Sequence, residues 1–142
     1  METMELQGKR FLQKLLKIQV QIDEKTDEFE YWKKQRVFCD DDSQLAKNIR
    51  KRANELHDLV QSMNEQKLFA TELIERIDDP VARTILLRRY ILCDTWTTIA
   101  AACGRMSERN AHYIHNQALL EFEDIYRGEK AAFSESKSER LF

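Results

Sequence analysis

The sequence predicts an all-α protein: a long N-terminal helical hairpin or coiled coil, followed by a three-helix domain containing a helix-turn-helix. Three observations lead there. Only three glycines and one proline punctuate 142 residues, too few for the turns of a sheet protein. Charged residues make up 34% of the chain, which suits the solvated faces of long helices. Apolar residues recur at alternating intervals of three and four, the period of a helix with one buried face.

The first such stripe spans residues 4–32 and comprises Phe11, Leu15, Ile18, Ile22, Phe29 and Trp32, with Leu12, Leu16 and Tyr31 widening it. Gly8 and Lys25 occupy two positions of the stripe, and a lysine in such a seam selects register or partner number at some cost in packing. The pattern fits a helix packed on its own chain or on a second copy.

Residues 37–43 interrupt it. The run Cys39-Asp40-Asp41-Asp42-Ser43 reads as a turn whose side chains cap the next helix and favour its positive end. A metal loop is the weaker reading, because the alternating ligands and glycine of a calcium site are missing. A second long helix is expected over residues 42–77, with Leu45, Ile49, Leu56, Leu59, Met63, Ala70, Leu73 and Ile77 as its seam and Arg52 and Gln66 as polar interruptions. Two long amphipathic helices joined by a short loop form an antiparallel hairpin. A lone hairpin leaves apolar surface that a third helix, the C-terminal domain or a second copy of the chain should cover, and of these a homo-oligomer, with a dimer favoured, is expected.

Asp79-Pro80 marks the next start, since proline at the first helical position lacks only an N–H that would be unpaired there. The third helix, residues 80–92, offers Val81, Ile85, Leu86 and Tyr90 to a core and carries Arg83, Arg88 and Arg89 elsewhere. In residues 96–119, Thr97 or Thr98 caps a short helix bearing Ile99, Ala100 and Cys103. Gly104 ends it in a left-handed residue, and Ser107 caps a second helix with Ala111, Ile114, Ala118 and Leu119 on one face. This is how a helix-turn-helix offers its second helix to a major groove, although such a pair also serves simply to pack a small helical domain. The boundaries expected are 1–77 for the hairpin, 78–127 for the three-helix domain and 128–142 for a loosely ordered, Ser-rich tail.

Net charge is −2, so no global basic field advertises nucleic acid. Residues 80–127 hold six basic against five acidic side chains, and any positive surface there must be local. Cys39, Cys93 and Cys103 are odd in number and lack CxxC spacing. They read as reduced thiols, two of them filling core, in a cytoplasmic protein. No apolar run approaches the roughly 20 residues of a membrane span, so no membrane role is expected. Enzyme signatures are missing, the spacing of Cys103, His112 and His115 matches no metal site, and no cofactor is expected.

The order Arg89-Tyr90, then Trp96-x-x-Ile99-Ala100, Cys103-Gly104, Ser107 and Ile114-x-x-x-Ala118-Leu119 resembles region four of primary sigma factors. It resembles more closely the phage late-gene transcriptional activators of the ArpU and RinA type. The resemblance covers residues 78–126 and, more loosely, the helical N-terminal part. It implies a sequence-specific regulator of phage or prophage genes in a bacterial host cell, acting on double-stranded DNA and on host RNA polymerase. With Ser107 as cap, Ser107, Glu108, Arg109, Asn110, His112, Tyr113 and Asn116 face base edges, Arg109 suiting guanine and Asn110 adenine. Arg83, Arg88, Arg89 and Arg105 are candidates for phosphates. The turn Gly-Arg-Met-Ser is one residue longer than the usual G-x-S, and Ala111 and Arg88 replace apolar residues of the pattern. A small terminase subunit for DNA packaging, or a helical adaptor that binds only protein, are the alternatives.

Overall fold

The computed structural model describes residues 6–140, with side chains as far as Ala131. The protein is all-α, and the described residues contain no strand. Five α-helices follow in order: α1 Gln7–Arg36, α2 Gln44–Ile74, α3 Pro80–Leu86, α4 Trp96–Ala102 and α5 Glu108–Arg140. A π-helical segment, Leu87–Ile91, continues α3. No helix among the described residues is long and apolar enough to cross a membrane.

The contacts divide the chain into two compact units. One is Lys17–Leu68; the other joins the chain up to Leu16 to the chain from Phe69 onward. The division therefore crosses both long helices instead of following the 77/78 boundary expected from the sequence.

In the unit Lys17–Leu68, Ser43 starts α2: its Oγ accepts from Ala46 N–H at 3.0 Å. The three aspartates do not cap. Asp41 instead accepts from Arg36 at 2.7 Å, which holds its carboxyl below the usual carboxylate range. The seam contains Ile22, Ala46, Ile49 and Leu56, all buried. Leu45 and Leu59, expected inside, are 57% and 42% exposed, so the inward stripe of α2 is rotated by about one residue toward Ala46 and Val60. Arg52 is the seam's polar member. Its Nε and Nη2 donate to the Glu28 carboxylate at 2.6 and 2.9 Å, and Trp32 Nε1 donates to the same group at 3.0 Å. These bonds hold the Glu28 carboxyl down at about 2. The pair fixes α1 against α2 at one register.

The other unit holds the larger core. Leu12 and Leu15 of α1, Leu73 and Ile74 of α2, Ile85 and Leu86 of α3, Ile99 of α4, and Leu119 and Phe122 of α5 are all buried. An aromatic series crosses it: Phe69 edge-on to Phe11 at 6.0 Å, Phe11 stacked on Tyr126 at 5.1 Å, and Tyr126 stacked on Phe122 at 6.1 Å. Val81, expected in this core, is 37% exposed, and Ala82 takes the inward position.

The first turn of α1 is capped from far along the chain. Gln7 N–H and Gly8 N–H donate to the two Glu123 carboxylate oxygens at 3.1 and 2.5 Å, and Arg127 Nε donates at 2.6 Å. A buried carboxylate would normally rise in pKa, but these donors and the adjacent cation lower that of Glu123,. Gly8 is required for this approach, because a Cβ there would lie 2.9 Å from both Glu123 Oε2 and Phe122 Cδ1. Inside a helix, Gly→Ala ordinarily stabilises by about 0.5–1 kcal/mol. Here Gly8→Ala is expected to destabilise by about 1–3 kcal/mol through overpacking, a reversal of sign that a urea midpoint reads directly.

Asp79 caps α3 by accepting from Val81 N–H at 3.3 Å, with Pro80 at the first helical position. Helix α5 continues unbroken through residues 128–140, the stretch whose composition suggested a loose tail. Beyond Gly128 that stretch contains no glycine or proline, so no residue in it strongly opposes helix. The three cysteines are free and half-buried, so none fills core completely, against the expectation for two of them.

Candidate nucleic-acid interface

The cap of α4 is Thr95, whose Oγ1 accepts from Thr98 N–H at 3.3 Å; neither Thr97 nor Thr98 plays that part. Thr97 is occupied elsewhere, its hydroxyl donating to Glu108 Oε1 at 2.6 Å and so tying the start of α4 to the start of α5. Cys93, just upstream, is left-handed at φ 59°.

The turn between α4 and α5 contains two consecutive left-handed residues, Gly104 at φ 80° and Arg105 at φ 58°. Met106 N–H then closes onto Ala100 C=O at 3.1 Å. This accounts for the longer Gly-Arg-Met-Ser turn: the extra residue is absorbed as a second left-handed position. That conformation is costly for a side chain other than glycine, and it leaves Arg105 exposed. Ser107 caps α5, its Oγ accepting from Asn110 N–H at 3.1 Å.

The candidate residues fall into two groups. Arg109, Tyr113 and Arg105 are exposed, and none of their side chains makes a hydrogen bond or ion pair among the described residues. Asn110 is exposed, and its side chain makes only a long contact from Nδ2 to Met106 Sδ at 3.8 Å. Arg109, Tyr113 and Asn116 lie at intervals of four and three, on one face of α5.

The others are engaged within the protein. Glu108 accepts from Thr97. His112 lies with its ring 3.8 Å from that of Trp96. Asn116 Oδ1 is 3.3 Å from His115 Nδ1. Arg83 Nη1 donates to Ile77 C=O at 3.0 Å. Arg88 pairs with Asp94 at 3.1 Å, and Arg89 Nη1 donates to Asp94 C=O at 3.1 Å while its guanidinium sits 5.3 Å over the Trp96 ring. These three arginines fasten helix ends and the π-helical segment.

Beneath the exposed face lies His115, which sequence reasoning treated only as a doubtful metal ligand. It is 7% exposed. Its Nε2 lies 2.7 Å from Tyr90 Oη, and the Trp96 ring meets it edge-on at 4.9 Å. Asn116 Oδ1 can only accept, so Nδ1 carries the proton and Nε2 accepts from the Tyr90 hydroxyl. Burial lowers the His115 pKa to about 4 and raises that of Tyr90. A sequence signal existed: His115 stands four residues after Ala111 and three before Ala118, on the buried stripe. Among the described residues no group of His, Cys, Asp and Glu is placed to hold a metal ion.

Comparison with family models, with curated proteins and with solved structures gives no match for this chain.

Proposed function

We propose that the protein is a sequence-specific DNA-binding regulator of transcription, of phage or prophage origin, that places the first turns of α5 in a major groove. The observation that carries this reading is the solvent-exposed, unpaired state of Arg109 at the capped start of a helix, with Asn110 beside it and Tyr113 one turn on. Arg109 has the fork geometry to take the O6 and N7 acceptors of guanine, and Asn110 that to take N6 and N7 of adenine. The helix start adds backbone N–H donors for a phosphate, and Arg105 projects from the adjoining turn as a second phosphate contact.

His112, Asn116 and Glu108 act in this reading as supports: His112 and Glu108 hold α5 against Trp96 and Thr97 of α4, and Asn116 bonds the neighbouring His115 ring. Arg83, Arg88 and Arg89 likewise brace the scaffold. The base-reading set thus narrows to Arg109, Asn110 and Tyr113.

Selection of bound duplexes from a random-sequence pool tests the proposal. Wild type is expected to enrich one motif, and Arg109→Ala or Asn110→Ala to lose about 1–3 kcal/mol on that motif. Arg105→Ala is expected to weaken all duplexes alike and to reduce the salt slope by about one. Equal enrichment by wild type and the Arg109→Ala/Asn110→Ala double variant would remove the reading face.

A further inference from the structure

The unit Lys17–Leu68 is a two-helix hairpin without a third layer. Its only buried apolar side chains among the described residues are Ile22, Ala46, Ile49 and Leu56. Between α1 and α2 runs an open groove of about 590 Å³, whose apolar wall is Phe29, Leu56, Val60 and Leu68 and whose rim carries Glu30 and Glu65. An apolar helix pair of this kind is normally covered.

The charge along the hairpin says by what. The middle of the unit, residues 19–30 and 55–67, carries eight acidic side chains against two basic. The tip, residues 33–52, carries seven basic against three acidic. Lys33 follows Thr26 by seven residues, and Arg50 precedes His57 by seven. Both therefore continue, toward the tip, the helix faces that line the groove. Glu30 and Glu65, and Lys33, Lys47 and Arg50, are exposed, and their side chains make no hydrogen bond or ion pair among the described residues.

We infer that the groove is the dimer interface and that a second copy of this chain covers it, the two hairpins lying antiparallel about a two-fold axis that passes between the acidic middle and the basic tip. Antiparallel pairing sets the basic tip of each copy over the acidic middle of the other, twice by symmetry, so the surface complements itself. Parallel pairing would set acid on acid and base on base. The paired hairpins make a four-helix arrangement in which Phe29, Val60 and Leu68 leave water. The inference is independent of the DNA reading.

Sedimentation of the full chain, with circular dichroism to confirm helix content, tests it. Wild type is expected to sediment as two chains, and to shift toward one chain as salt rises. Glu30→Lys/Glu65→Lys and Lys33→Glu/Arg50→Glu are each expected to sediment as one chain. Mixing these two variants is expected to restore two chains, because the four substituted positions are then all basic on one hairpin and all acidic on the other. The chain carrying all four substitutions is expected to dimerise by itself, and it carries the test should a double variant lose helix. A monomeric wild type, a dimer indifferent to either double variant, or a larger ring would each overturn the inference.

Discussion

Phe122→Ala is expected to destabilise the protein by about 3–5 kcal/mol, the usual cost of emptying a buried aromatic site. Phe122 is fully buried. Its ring is the end of the aromatic series that joins α1, the end of α2 and α5, and it flanks the backbone of Gly8. A domain of this size has roughly 5–15 kcal/mol in total, so the variant sits near the limit of folding. The loss should appear as a lowered urea midpoint. A change below about 1 kcal/mol would show that the side chain does not anchor this core. The residues of the proposed reading face lie on the exposed first turns of α5, nine or more residues before Phe122, so variants there should leave the midpoint nearly unchanged.

The second large effect is a loss of stability on acidification. His115 has a folded pKa of about 4, against about 6.5 in an unfolded chain. Above pH 7 both states are neutral and the group contributes nothing. As pH falls from about 6.5 to 4, the unfolded state binds a proton that the folded state refuses, and stability falls. The full shift corresponds to at most about 3 kcal/mol at 1.36 kcal/mol per unit. Urea midpoints between pH 7 and 4 check this: His115→Gln should remove most of the slope, whatever its effect on stability at pH 7. An unchanged slope would show that His115 is not held neutral. Glu123 acts in a lower window. Its pKa is depressed, so its contribution persists above its unfolded value and is lost only as pH falls further.

Much of the fold was legible because it is written in local chemistry. The stripe of Leu15 and Ile22, the caps Ser43, Asp79 and Ser107, and the left-handed Gly104 all follow from short-range rules and recur in the structure. The periodicity failed by one position where two neighbouring residues were both apolar. Leu45 against Ala46 and Val81 against Ala82 are such pairs, and in each the alanine went inside, as suits a close helix crossing. Thr97 or Thr98 was expected to cap α4, but Thr95 takes that place by accepting from Thr98 N–H, while Thr97 engages the distant Glu108. The demand for glycine at position 8 depends on Phe122 and Glu123, 114 and 115 residues away, and no window of sequence contains both. The exposure of Arg109 and Asn110 was expected from Ser107 and the helix period; the engagement of Arg83, Arg88 and Arg89 was not, because it depends on backbone carbonyls of Ile77 and Asp94 and on the π-helical segment.

The carboxylate that closes the first turn of α1 also orders events during synthesis. Gln7 and Gly8 leave the ribosome long before Glu123 exists. At about 5–20 residues per second, the intervening stretch takes on the order of 6–20 s to translate. Through that interval the N–H groups of Gln7 and Gly8 have only water to bond, and the first turn of α1 is not closed until α5 has been made.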